Sequence, residues 1–327
     1  MNIETRGSID NLQSLRAFAA INVVFFHVLG TASAYGFNPQ YLSIMTGWGA
    51  NGVDVFFVLS GFVMLHSQLQ QKRSVLVFLK ARLIRIVPIY WFVSFLVVVS
   101  FSFLPSASFN NNAPSADWVI QSLFFLSGAI GQKSPILMVG WTLEWEMLFY
   151  LVFGVSLLFS HWIKSYFFIL LVLGIIAGMT SDLIMFEFIA GMLIAYIYNN
   201  FHFQQKYGCF LAVVGFLLLL SSINQIFDAR LSRVFYWGLP SALIVLGAIY
   251  AKSYKQSLLQ YLGDASYSIY LIHVLTISVF YKVSKSLSIA INYDLLAMVC
   301  LMCSILCGSV LYAFVEKPFT RYIKSIF

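Results

Sequence analysis

The chain has 327 residues, 61% of them hydrophobic and 9% charged, with 32 Phe and a mean hydropathy of +0.87. This balance excludes a water-soluble globular domain and indicates an integral membrane protein. The net charge of +7 collects at the ends of apolar stretches, as membrane topology requires, so no nucleic-acid partner is expected.

About 20 apolar residues cross a bilayer as a helix, because backbone groups in lipid must pair within their own segment. Such stretches predict spans over 12–32, 52–67, 87–104, 140–159, 166–181, 183–199, 207–224, 234–251, 265–283 and 293–315. The expected fold is all-α, a polytopic transmembrane helical bundle of about ten spans. Residues 1–327 read as a single domain, since no Pro/Gly/Ser-rich linker or charge run divides them. An even span count puts both termini on one side. With the N-terminus inside, only Lys133, Arg230, Arg233, Lys282 and Lys285 of the 19 Lys and Arg fall outside, so both termini are expected in the cytoplasm. Glu4 and Ser325 would then be cytoplasmic, and residues 107–113 external.

The first span, "LRAFAAINVVFFH", carries Arg16 and His27. Eleven residues at 100° each are three turns plus about 20°, so both project from one helix face roughly 16 Å apart. Taken alone, the pair also fits a snorkelling Arg and a packed His. Ala32-Ser33-Ala34 resembles a signal-peptidase site, but the long region before it contains Glu4 and Asp10, and an uncleaved helix is expected.

"GVDVFFVLSGF" opens the second span with Asp54. The stretch 74–85 mixes apolar residues with Lys80, Arg82 and Arg85, which predicts an interfacial segment ending where Pro88 starts the third span. Trp118–Leu126 is too short to cross and reads as re-entrant or interfacial. "GWTLEWEMLFYLVF" brings Glu144 and Glu146 into the fourth span, about 200° apart, so both cannot face one cavity. Gly174 and Gly178 form a small-xxx-small pair expected to pack helices. "GDASYSIYLIHV" adds Tyr267, Tyr270 and His273, and "FVEKPF" ends the tenth span. Cys209, Cys300, Cys303 and Cys307 all lie in apolar spans and are expected to pack there, with no metal site.

These motifs together resemble acyltransferase family three, multispan membrane enzymes that O-acylate cell-surface sugars. The resemblance runs from "LRAFAAINVVFFH" through "GVDVFFVLSGF", "RLIRIVPIYW", "WTLEWEMLFY" and "YSIYLIH" to "EKPF". It implies that Arg16 and His27 are the signature pair. It selects Glu146 over Glu144, through Trp141, Thr142, Leu143, Glu146, Phe149 and Tyr150. It also implies a multi-pass protein of the bacterial inner membrane. The soluble esterase-like domain that some members append is not expected here.

The chemistry can be argued from the residues. A cytoplasmic acyl thioester such as acetyl-CoA carries several phosphate charges, and guanidinium groups pair with phosphate in bidentate, charge-assisted bonds. Arg16, Arg82 and Arg85 would hold that donor, with no bound cofactor needed. His27 would act on the thioester, either as base toward a sugar hydroxyl or by accepting the acyl group. Glu146, or second Asp54, would orient it, and His273 is an alternative acid–base group or a buried structural His. Trp141 and Tyr150 would stack on a sugar or belong to the aromatic belt.

The expected activity is O-acyl transfer, acetyl first, to a surface polysaccharide or lipid-linked sugar such as lipopolysaccharide or exopolysaccharide. Membrane lipids and glycan-assembly proteins are the further expected partners. A transporter or channel, or a non-catalytic subunit of a glycan assembly complex, is the rival reading; no evident repeat or matched pair of broken helices supports transport.

Overall fold

Apolar stretches whose backbone must pair internally leave the chain few options, and every regular element among the described residues is helical. The computed structural model describes residues 10–103, 114–131, 134–159, 162–180, 182–223, 233–253, 256–289 and 291–326. Arg6, Lys133, Arg230 and Lys255 of the topology argument, together with Glu4 and residues 107–113, lie outside them.

In chain order the helices are α1 (Asp10–Ala32), α2 (Asn51–Gln70), α3 (Val75–Phe103), α4 (Ala116–Leu123), α5 (Ser127–Gly131), α6 (Trp141–Ser156) and α7 (Trp162–Thr180). There follow α8 (Phe186–Asn200), α9 (Gln205–Ser221), α10 (Leu239–Tyr250), α11 (Ser257–Asp264), α12 (Ser266–Ser286), α13 (Tyr293–Leu311) and α14 (Lys317–Ile326). A helix stands at every place where a span was predicted. Among the described residues, Asp10–Tyr35, Leu42–Gln70, Val75–Phe101, Met138–Ser156, Ser266–Ser286 and Tyr293–Ile323 are six helical stretches long and apolar enough to cross a membrane. Lys164–Thr180, Gln205–Ser221 and Val234–Tyr250 are apolar but shorter, and α8 has 15 residues.

One boundary differs from expectation. Pro88 does not start a new helix after an interfacial segment; it lies inside α3, which runs unbroken for 29 residues. Proline removes a single N–H, whereas ending the helix among apolar neighbours would strand several backbone groups. The charge carried by this helix is absorbed by packing: the Arg82 guanidinium lies 5.6 Å from the Phe78 ring centre and 6.0 Å from that of Tyr150.

The chain forms two compact units, each assembled from three separate stretches. This explains why the sequence shows no linear boundary. The first unit takes residues 1–22, 50–73 and 162–266. Its tightest crossing is α2 on α8, where a Cβ on Gly61 would sit 2.0 Å from the Phe188 carbonyl oxygen and one on Gly191 2.0 Å from that of Val58. Phe57 stacks on Phe188 beside it, with centroids 4.5 Å apart. α9 and α10 meet in the same manner at Gly247, whose Cβ would fall 2.3 Å from the Ala212 nitrogen. The expected packing pair Gly174 and Gly178 is not used, since a Cβ on either would meet nothing within 4 Å. Close approach depends on which helix faces a neighbour, and at these two positions α7 meets none within 4 Å among the described residues.

The second unit takes residues 23–49, 74–161 and 267–327. Here α4 and its following turn lie against the middle of α3: Tyr90 Oη donates to the Ser122 carbonyl (3.0 Å), Trp91 Nε1 donates to that of Leu123 (2.9 Å), and Tyr90 stacks on Phe125. α12 and α13 are held in register at Gly308, where a Cβ would come 2.4 Å from the Ile269 Cα.

Candidate active site

The second unit brings together most of the residues that the sequence singles out. His27 on α1 and His273 on α12 are 246 residues apart, yet His273 Nε2 lies 3.2 Å from His27 Nδ1. Each ring also contacts the carbonyl one turn earlier on its own helix: His27 Nδ1 is 2.9 Å from Val23 O and His273 Nδ1 is 3.3 Å from Ile269 O. His273 is fully buried, whereas His27 is only partly so.

Next to His273, with ring centroids 5.9 Å apart, is Tyr270. Its hydroxyl, the Thr142 hydroxyl and the Val139 carbonyl form a closed triangle with sides of 2.7, 3.0 and 3.0 Å. This triangle ties α12 to the start of α6. One turn along α6, Glu146 accepts a hydrogen bond from Tyr150 Oη and lies within electrostatic range of Tyr267 and Tyr270. Arg82 and Arg85, three residues apart on α3, are within electrostatic range of Tyr150. Arg82 is buried, and its Nε has no hydrogen-bond partner among the described residues. Such a group is costly unless an anion meets it.

Two expectations are refined. Glu144 and Glu146 do diverge: Glu144 turns to the N-terminus of α5, where its carboxylate accepts from the backbone N–H of Ser127 and of Gly128, both at 2.9 Å. Tyr150 is 4% exposed with Arg82 over its ring, so it seats Arg82 and Glu146 instead of offering a face to a sugar. Trp141, at the first position of α6, is partly exposed and keeps that option. Tyr267 donates to the Ile86 carbonyl at 2.8 Å and so anchors α12 to α3.

In the first unit Arg16 is partly buried on α1. Asp54 is fully buried and accepts two bonds from Arg233, Nε to Oδ1 at 3.1 Å and Nη2 to Oδ2 at 2.8 Å. Beside them Glu187 is 3% exposed, its carboxyl group against that of Asp54. The sequence reading passed over Glu187 and counted Arg233 only for topology. Glu187 carried a usable signal, being a lone acid within the apolar "IMFEFIAGM". For Arg233 no local signal existed, because its partner is 179 residues away.

An imidazole on an apolar helix, backed by a second imidazole, can perform acid–base or nucleophilic chemistry, and the buried Arg82 guanidinium of the same unit can pair with a phosphate. Comparison with known proteins agrees with that capacity. The exopolysaccharide production protein ExoZ of Rhizobium meliloti (strain 1021) is 31% identical over 297 residues, covering 84% of this chain and 90% of that protein. The O-acetyltransferase OatA of Staphylococcus aureus (strain NCTC 8325 / PS 47) is 29% identical over 164 residues, 46% of this chain and 25% of that protein. No solved structure matches. The acyltransferase domain of acyltransferase family three matches residues 9–314, and the chain belongs to that family.

Proposed function

We propose that this protein is an inner-membrane O-acetyltransferase that takes acetyl from cytoplasmic acetyl-CoA and places it on a hydroxyl of an exopolysaccharide or its lipid-linked precursor. The observation that carries the reading is the chain of groups from His27 and His273 through Tyr270 and Thr142, with Glu146, Tyr150 and Arg82 beside it, inside one unit of apolar helices. The similarity to ExoZ supports an exopolysaccharide acceptor, and that to OatA supports acetyl as the group moved.

In this reading Arg82 and Arg85 hold the phosphates of the donor, and the pantetheine arm carries the thioester toward His27. His27 takes the proton of the sugar hydroxyl as the oxygen bonds to the thioester carbon; the carbon–sulfur bond then breaks, and the proton passes to the departing thiolate. Direct transfer of the acetyl group through the imidazole uses the same residue. Glu146 offsets the positive charge that builds up along this path.

The test is transfer of label from radiolabelled acetyl-CoA to an exopolysaccharide acceptor by the purified protein in lipid. Wild type should release free CoA and label the saccharide. His27→Ala should lose transfer by about 10³-fold or more while donor affinity changes little, because the imidazole acts at the reacting centre. A folded His27→Ala protein that transfers acetyl at near wild-type rate would remove His27 from the chemistry.

A further inference from the structure

We infer that His273 is a positioning residue for His27: it accepts the Nδ1 proton of His27 and leaves the Nε2 lone pair of His27 as the reacting atom. The inference rests on the acyl-transfer reading and adds to it which nitrogen reacts and what supports it.

A neutral imidazole has one donor and one acceptor nitrogen, and the bond made by one fixes the role of the other. His273 Nδ1 faces the Ile269 carbonyl at 3.3 Å. A carbonyl only accepts, so the His273 proton is on Nδ1 and its Nε2 is an acceptor. That Nε2 lies 3.2 Å from His27 Nδ1, which itself faces the Val23 carbonyl at 2.9 Å. Both neighbours of His27 Nδ1 are therefore acceptors, and a proton there serves both in a three-centre bond. The opposite assignment, with the proton on His273 Nε2, sets two nitrogen lone pairs against two carbonyl lone pairs or demands a second proton on a fully buried ring.

His27 thus presents an unprotonated Nε2 on the ring edge away from His273. When Nε2 takes up the hydroxyl proton or the acyl group, the positive charge spreads to Nδ1–H. An imidazole nitrogen is a better acceptor for that acidic proton than an amide carbonyl, so the bond to His273 strengthens as the charge appears. The carboxylate of a Ser-His-Asp triad does the same work with a formal charge. Here a neutral ring suffices and avoids burying an anion among apolar helices. The pair is held by rigid elements: two turns along α12 from His273, Tyr281 Oη donates to the Val28 carbonyl at 3.2 Å, next to His27 on α1.

The experiment uses the full chain in lipid nanodiscs and has two arms. Nitrogen-15 NMR of histidine-labelled wild type, with only five histidines to assign by single substitution, should show both His27 and His273 protonated at Nδ1 and bare at Nε2. A proton on Nε2 of either ring overturns the inference. This arm needs no turnover, so it decides the point even if acetyl transfer itself is not found. In the kinetic arm, His273→Leu should lower kcat by ~30–100-fold with the KM for acetyl-CoA within ~2-fold, the loss expected for one hydrogen bond to a developing charge. His273→Gln, whose side-chain carbonyl can accept from Nδ1, should recover at least ~10-fold of that loss. Equal rates for the Leu and Gln variants, or a loss confined to KM, would also overturn it.

Discussion

Arg233 closes a two-point fork on Asp54, with bonds of 3.1 and 2.8 Å to a carboxylate that has no exposure of its own. The Arg233 guanidinium also lies 5.0 Å from the Trp237 ring centre. Removing the guanidinium leaves a buried carboxylate without its partner, so Arg233→Ala should destabilise the protein by about 3 kcal/mol. An Asp54→Ala/Arg233→Ala double variant should recover part of that loss. Glu187→Gln should be neutral or stabilising, since the amide keeps the volume and can donate to the Asp54 carboxylate without bringing a second ionisable group beside it. Thermal unfolding in detergent checks all three, and an unchanged midpoint for Arg233→Ala would show that the fork is not structural.

The two glutamates of α6 should separate cleanly by assay. Glu144→Ala leaves two N–H groups of α5 uncapped and should cost about 1–2 kcal/mol, lowering the unfolding midpoint. Glu146→Gln can still accept from Tyr150, so its midpoint should hold. Its rate should fall on the order of 10²-fold, because an amide cannot offset an imidazolium charge. If Glu146→Gln instead lowers the midpoint and leaves the rate of the folded fraction intact, the carboxylate is structural.

On the donor side, Arg82→Ala should raise the KM for acetyl-CoA by roughly tenfold or more. Arg82→Lys should restore only part of it, because lysine brings the charge without the planar fork. Acetyl-CoA titration of initial rates separates this from a stability effect of losing the contacts with Phe78 and Tyr150. Arg85→Ala should move in the same direction.

At the α2–α8 crossing, Gly61→Ala and Gly191→Ala each drive a methyl group to within 2.0 Å of a backbone carbonyl oxygen. No side-chain rotation relieves that clash, so each variant should lose several kcal/mol and express poorly. Gly174→Ala and Gly178→Ala, which meet open space, should behave as wild type, and folded yield by size-exclusion chromatography is the readout.

Much of this protein is legible from residue order alone, because the relevant physics is local. Moving about 20 apolar residues into lipid is favourable wherever they occur, so the positions of the long helices follow from composition. The 100° step of a helix likewise separates Glu144 from Glu146 and aligns Arg16 with His27 before any fold is known. What only the tertiary structure decided is the choice of partners. In a chain this apolar nearly every helix face is oily, so hydropathy does not say which face turns inward, and glycine closes a helix crossing at Gly61 and Gly191 yet meets nothing within 4 Å at Gly174 and Gly178. The pairing of His273 with His27 and of Arg233 with Asp54 joins residues 246 and 179 positions apart, and Pro88 passes through α3 without ending it. Each of these outcomes depends on which helices pack side by side, a property of close contact between distant segments that no local periodicity encodes.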